Sequence, residues 1–182
     1  MATQTPWGKS DSKKIITRGI VFYGTPSHGG YHVSKKLLQT MPKAFVDHND
    51  LTRHGWFEED CLWSFVALSF PLFFEKDLQL AHSTCKNWYP LEYEKAFNVK
   101  VSLEESLTLR ENDFRNRTTN QYVVKTAFGD WKQGVPKGMV ALLTQRESDH
   151  SIKWIIVQDS EYQQLGGHFV VEDRHTEIAP LS

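Results

Sequence analysis

Two short words of this chain carry the residue types that chemistry needs. The first is Gly55-Trp56-Phe57-Glu58-Glu59-Asp60-Cys61-Leu62-Trp63, where three carboxylates run into a cysteine. The second is Thr25-Pro26-Ser27-His28-Gly29-Gly30, a glycine-rich turn with a hydroxyl and an imidazole. Glu58 or Glu59 with His28 has the makings of an acid–base pair or a hard-cation site, if the fold brings the words together. Consecutive residues on a helix point about 100° apart, so Glu58, Glu59 and Asp60 could not all serve one metal there. The plainer reading is an acidic helix N-terminus, in which a carboxylate caps free amides and the dipole favours negative charge. Cys61 near such a terminus could gain thiolate character. His168, which follows Gly166-Gly167, is a candidate base for it. The three neighbouring carboxylates act the other way and raise the thiol pKa, so a buried structural cysteine is the competing reading.

The Ser27-His28-Gly29-Gly30 turn follows an apolar run and precedes a helical spacing, the place where a phosphate-binding loop sits. Backbone amides of Gly29 and Gly30 could hold an anion there. The nucleotide-binding P-loop pattern is nevertheless absent, because Gly30 and Tyr31 stand where Lys and Ser/Thr are needed. A tight turn with Thr25 or Ser27 capping the following helix explains the same residues.

The elements that must position these words follow from pattern. Residues 15–23 read as one β-branched strand closed by Gly24 and Pro26. Val33, Leu37, Leu38 and Met41 have helical spacing, ended by Pro42. A helix is expected from the Glu-Glu-Asp cluster to about Phe70. Another is expected over residues 72–87, with a short one at 91–97. Residues 99–120 are charged and turn-rich. Residues 122–128, 139–144, 153–157 and 168–173 read as strands separated by turn signals. The expected fold is α+β, a helical first half packed with an antiparallel sheet formed mainly by the second half. It would form a single domain, 1–182, with two lobes at about 15–98 and 120–175.

Composition bounds the class. Hydrophobic residues are 40% of the 182 and aromatics 13%, enough for a packed core. Twenty-one basic against 22 acidic residues leave a net charge of −1, so no global field for nucleic acid is indicated. Cys61 and Cys85, the two cysteines, make neither a disulfide framework nor a four-ligand zinc site. The other histidines lack ligand spacing, and no metal or cofactor is indicated. The start is polar, unlike a signal peptide. The apolar run from Cys61 to Phe74, broken by Pro71, is shorter than the ~20 residues a membrane helix needs. A soluble, reduced, cytoplasmic protein is expected. Arg110, Arg115, Arg117 and Lys125 form a modest basic stretch offset by Glu111 and Asp113. Nothing here sets an oligomeric state.

Two resemblances add to this. Asp60-Cys61-x-Trp63 and Gly167-His168-Phe169-Val170-Val171 resemble the papain-like cysteine peptidases, especially those that trim bacteriocin leaders. That resemblance implies Cys61 as nucleophile and His168 as base; apart from it, His28 with Glu58 and Glu59 is an alternative catalytic set. Gly55 stands where that fold usually places its oxyanion-hole Gln. More widely, Ser27-His28-Gly29-Gly30, the stretch from Gly55 to Trp63, and Val135-Pro136-x-Gly138-Met139-Val140 resemble an uncharacterised family carried by plasmids and phages of Gram-negative bacteria. Membership implies a bacterial host and a protein that blocks a host defence protein or complex by binding it. The expected contact residues are Ser27, His28, Gly29, Gly30, Glu58, Glu59 and Asp60. The charged connector from Glu104 to Arg117, with Arg115 and Arg117, joins them. The alternative is a cysteine-dependent hydrolase using Cys61 and His168.

Overall fold

The structure, a computed structural model, describes residues 3–181. The fold is α+β, and all its strand pairings are antiparallel. The chain divides into two compact units, Met1–Arg110 and Glu111–Ser182.

The first unit begins with a small hairpin, β1 (Gln4–Thr5) and β2 (Gly8–Lys9). A sheet follows in the order β3 (Ser12–Thr17), β4 (Ile20–Gly24), β5 (Gly29–Val33), β6 (Trp56–Glu58). Residues 15–23 are therefore not one strand. Arg18-Gly19 breaks the run into a hairpin, with Thr17 opposite Ile20 and Gly19 at φ +97°. A side chain is strained at that angle, and glycine is the residue that makes so tight a reversal. The helical spacing after Gly30 is also interrupted. Val33 ends β5, and only one turn, α1 (Lys35–Leu38), follows before Pro42 opens α2 (Lys43–Val46). Leu38 and Met41 still reach the core, so the apolar spacing reports burial correctly while the helix is shorter than expected.

The remaining helices of this unit are α3 (Asp50–Arg53), α4 (Trp63–Ser69), α5 (Leu78–Trp88) and α6 (Pro90–Phe97). Between α4 and α5, Pro71–Phe73 and Glu75–Asp77 form two 3-10 turns, so the helix expected over 72–87 starts six residues late. Pro71 lacks the N–H needed to continue α4. One sheet face and the helices enclose a core of Ile20, Val33, Phe45, Phe57, Phe65, Val66, Ala67, Ala81 and Cys85, all fully buried. Phe45 and Phe65 stack at 4.3 Å between ring centroids. The opposite sheet face is covered by Trp7 from the β1–β2 turn. Trp7 meets Trp56 edge-on at 5.8 Å, and Trp56 also packs on Tyr23 and His32.

The division between units falls after Arg110, within α7 (Leu107–Thr118). The second unit holds a sheet in the order β10 (Thr176–Glu177), β9 (Ile152–Gln158), β8 (Met139–Arg146), β7 (Tyr122–Phe128), with α8 (Asp159–Leu165). Val140 and Leu142 on β8 alternate inward and meet Ile155 and Val157 of β9 with Phe169, the period-2 pattern of a half-buried strand. Residues 168–173 do not form the expected strand. Gly166–His168 is a 3-10 turn, and only one bridge, Val123 to Val170, is made against β7. Sheet is thus present in both units rather than gathered in the later one, because the Gly29-Gly30 word is itself β structure.

Candidate functional site

The two chemistry-bearing words meet, and they meet as neighbouring strands. On β5 and β6, Gly30 is opposite Glu58, Tyr31 opposite Phe57, and His32 opposite Trp56. The Glu59 amide then donates to the Gly29 carbonyl at 3.1 Å. Thr25 to His28 form the exposed tip of the β4–β5 hairpin. There the Thr25 amide and hydroxyl both donate to the His28 carbonyl at 2.7 Å. The tip leads into a strand, so no helix terminus stands behind Gly29 and Gly30 to favour an anion, and Thr25 closes the turn instead of capping a helix.

Both glycines are explained by close approach. A Cβ on Gly29 would lie 2.5 Å from Glu59 Oε2 and 2.6 Å from Phe22 Cζ. A Cβ on Gly30 would lie 2.6 Å from the Phe57 carbonyl oxygen and 2.7 Å from Trp7 Cζ3, and closer still to Trp7 Cη2. Gly30 admits the indole that covers the sheet. Gly29 admits a carboxylate and an aromatic edge.

The three acids take different roles. Glu58 ends β6, and its carboxylate accepts the amides of Asp60, Cys61 (3.0 Å) and Leu62 (3.3 Å). It caps the turn before α4, and the helix itself starts at Trp63, about one turn later than expected from sequence. Asp60 is exposed. Glu59 is exposed as well, and among the described residues its carboxylate has neither an ion-pair nor a hydrogen-bond partner. Cys61 is half-buried. Burial first, then the charges of Glu58 and Asp60, push its thiol above the ordinary value, which disfavours the thiolate a nucleophile needs. Cys85 is fully buried, and burial raises its thiol to about 12 against a small opposing effect of the Ser64 hydrogen bond.

Glu59 forms one wall of a solvent-open pocket of about 300 Å³. Phe22 and Tyr31 come from adjacent strands, opposite one another in register. Trp63 opens α4, Phe74 lies between the two 3-10 turns, Asp77 ends the second, and Leu80 comes from α5. Tyr31 sits edge-on to Phe22 at 5.2 Å and to Phe74 at 5.6 Å. Its hydroxyl pKa is raised, first by burial and then by the charges of Asp77 and Glu59, so both carboxylates act on one ring. Asp77 is the residue before α5, yet its side chain makes no capping bond. Around the pocket's turns Leu72, Phe73 and Leu80 are 80%, 50% and 60% exposed. Such a rim of apolar side chains about free carboxylates suits contact with another molecule. Ser27 and His28 do not line it.

Other expected residues lie elsewhere. His168 belongs to the second unit, where Nε2 lies 2.9 Å from Glu111 Oε1 and the ring meets Phe114 edge-on at 4.6 Å. Arg115 lines a cavity of about 160 Å³ with Glu111, Phe114, Lys125 and Glu147. Arg117 Nε bonds Asp113 Oδ2 at 2.8 Å. In the first unit Arg110 bonds the Leu103 and Glu104 carbonyls at 2.9 and 2.8 Å, and Glu105 pairs with Lys86 at 2.5 Å. The connector's charges are thus largely engaged within the chain. A further titratable pair, His48 Nδ1 with Glu92 Oε1 at 2.9 Å, is half-buried beside α6. Among the described residues no three His, Cys, Asp or Glu side chains come together as metal ligands. No helix there is long and apolar enough to cross a membrane.

Sequence reasoning missed Phe22, Tyr31, Asp77 and Leu80 as site residues; Phe74 belongs to the core and Trp63 packs against it, while both line the pocket. The signal for the first pair was the alternation of Ile20 with Phe22 and of Tyr31 with Val33, which puts both rings on one sheet face once Gly24 and Gly29 are paired.

A family model described as a domain of unknown function, DUF7007, matches residues 1–119, and the chain belongs to that family. The match spans both the Ser27–Gly30 and Gly55–Trp63 words and stops short of the Val135–Val140 word. No curated protein and no solved structure matches the chain.

Proposed function

We propose that this DUF7007 protein is a binding protein of a phage or plasmid, acting in the bacterial cytoplasm to block a host defence protein or complex by contact. The observation that carries the binding reading is the pocket of Phe22, Tyr31, Glu59, Trp63, Phe74 and Asp77. It is open, aromatic-walled and edged by two carboxylates without partners among the described residues. The raised thiol of Cys61 supports contact over cysteine catalysis. So does the engagement of Glu58 with three backbone amides, which leaves it without a free acid–base role. The defence target follows from the resemblance of the two words to a mobile-element family and is analogy at the level of setting.

The test is expression in a panel of bacterial hosts, each carrying one defence system, scored by phage plating or plasmid establishment. Restored plating on at least one host, equal for wild type and Cys61→Ala, is the expected result. Restoration on no host, or restoration lost in a folded Cys61→Ala protein, overturns the proposal.

A further inference from the structure

We infer that the pocket between β4, β5 and the turns before α4 and α5 is a receptor for one arginine side chain presented by a partner protein. This rests on the binding reading above and names what the site takes. Four aromatic residues line the pocket, and two of them, Phe22 and Phe74, flank Tyr31 edge-on at 5.2 and 5.6 Å. Aromatic faces attract cations through the ring quadrupole. Glu59, after β6, and Asp77, before α5, add two carboxylates, and neither has an ion pair or side-chain hydrogen bond among the described residues. Both residues line the pocket that Tyr31 also lines.

An anion is repelled by this arrangement. A neutral apolar ligand would leave two carboxylates partly desolvated without compensation. Among cations, guanidinium fits better than ammonium. It is planar, stacks on rings, presents several N–H donors to two separate carboxylates, and is the more weakly hydrated of the two. The volume of about 300 Å³ accommodates one side chain and is at the lower limit of pockets that hold whole small molecules. The exposed Leu72, Phe73 and Leu80 would meet apolar residues flanking that arginine. Gly29 belongs to the same device, because a Cβ there would displace the Glu59 carboxylate and the Phe22 ring.

The test is a titration of the full-length, ¹⁵N-labelled protein, following the Trp63 indole N–H resonance identified with Trp63→Phe. The probes are N-acetyl-arginine amide, N-acetyl-lysine amide and N-acetyl-citrulline amide, the last of similar shape without charge. The expected result is saturable binding of the arginine probe, weaker binding of lysine and none of citrulline. In Glu59→Gln/Asp77→Asn, whose exposed side chains make no ion pair or hydrogen bond among the described residues, arginine binding weakens on the order of tenfold or more. Lysine binding as well as arginine overturns the guanidinium assignment. Citrulline binding equally, or a double variant that binds like wild type, overturns the site. No target protein enters this titration, so its failure beside restored plating refutes the pocket alone. Saturable arginine binding with plating restored on no host refutes the defence reading alone.

Discussion

Substituting Gly30 with alanine separates packing from anion binding as the reason for the glycine pair. The added Cβ would lie 2.6 Å from the Phe57 carbonyl oxygen and 2.7 Å from Trp7 Cζ3. Phe57 is backbone of the paired strand and cannot retreat without opening the β5–β6 ladder. Trp7 can swing away only by giving up its edge contact with Trp56 at 5.8 Å. Overpacking of this kind costs about 1–3 kcal/mol, and the aromatic pair adds about 0.5–1.5 kcal/mol. A loss of about 2–4 kcal/mol follows from the two together, a large share of the 5–15 kcal/mol that holds a typical domain. Urea unfolding followed by tryptophan fluorescence and by circular dichroism measures it, with the midpoint falling at unchanged slope. Trp7→Ala combined with Gly30→Ala should lose less than the sum of the single changes, because the clash is then partly relieved. A Gly30→Ala protein within about 0.5 kcal/mol of wild type would refute the packing argument.

Gly29→Ala meets the mobile end of Glu59 and the edge of Phe22, so it should destabilise less than Gly30→Ala while weakening the arginine probe in the same titration. Glu58→Ala removes the acceptor for three turn amides and should cost about 1–2 kcal/mol in urea melts, with Glu58→Gln recovering much of it through its remaining carbonyl oxygen. Cys61 should be alkylated slowly at neutral pH, and Asp60→Asn should move its alkylation–pH profile to lower pH by removing one of the charges that raise the thiol. Cys85 should react only on unfolding. The Glu92 carboxyl is held below its ordinary value, chiefly by the His48 hydrogen bond. Its contribution is therefore present above the ordinary glutamate range of about 4.3 and lost as pH falls through the depressed folded value. The stability gap between wild type and Glu92→Gln should be full near neutrality and close in acid.

What the sequence conveyed depended on whether a signal was local. The α+β class, the strands near 122–128, 139–144 and 153–157, and the short helix near 91–97 were legible because their periodicity and flanking turns agree with the packing that forms. The first sheet was not legible. Arg18-Gly19 hides a reversal inside an unbroken apolar run. Gly29-Gly30 reads as loop because glycine has low strand propensity, yet here tertiary contact selects it: Trp7, more than twenty positions away in sequence, needs the space. For the same reason the pairing of Gly30 with Glu58 could be posed but not decided from sequence, since register between distant strands is set by which faces bury together. The site was half visible. Glu59 stood out as one of a row of acids, but its separation from Glu58 in role comes from one amide-capped turn. Asp77 carries no sequence signal of its own, and Tyr31 reads only as a residue that spoils a P-loop match. Their meeting at one pocket depends on the turns between α4 and α5, which pattern alone reads as the start of a helix over 72–87.

The central claim, that this protein acts by contact through the Glu59–Asp77 pocket and not through Cys61, is tested most directly by affinity capture from host lysate with three baits: wild type, Cys61→Ala and Glu59→Gln/Asp77→Asn. The account predicts one stoichiometric defence protein retained by the first two and lost by the third, with an arginine of that protein cross-linked beside Trp63. A partner held equally by all three baits, or one trapped only by Cys61→Ala, would contradict it.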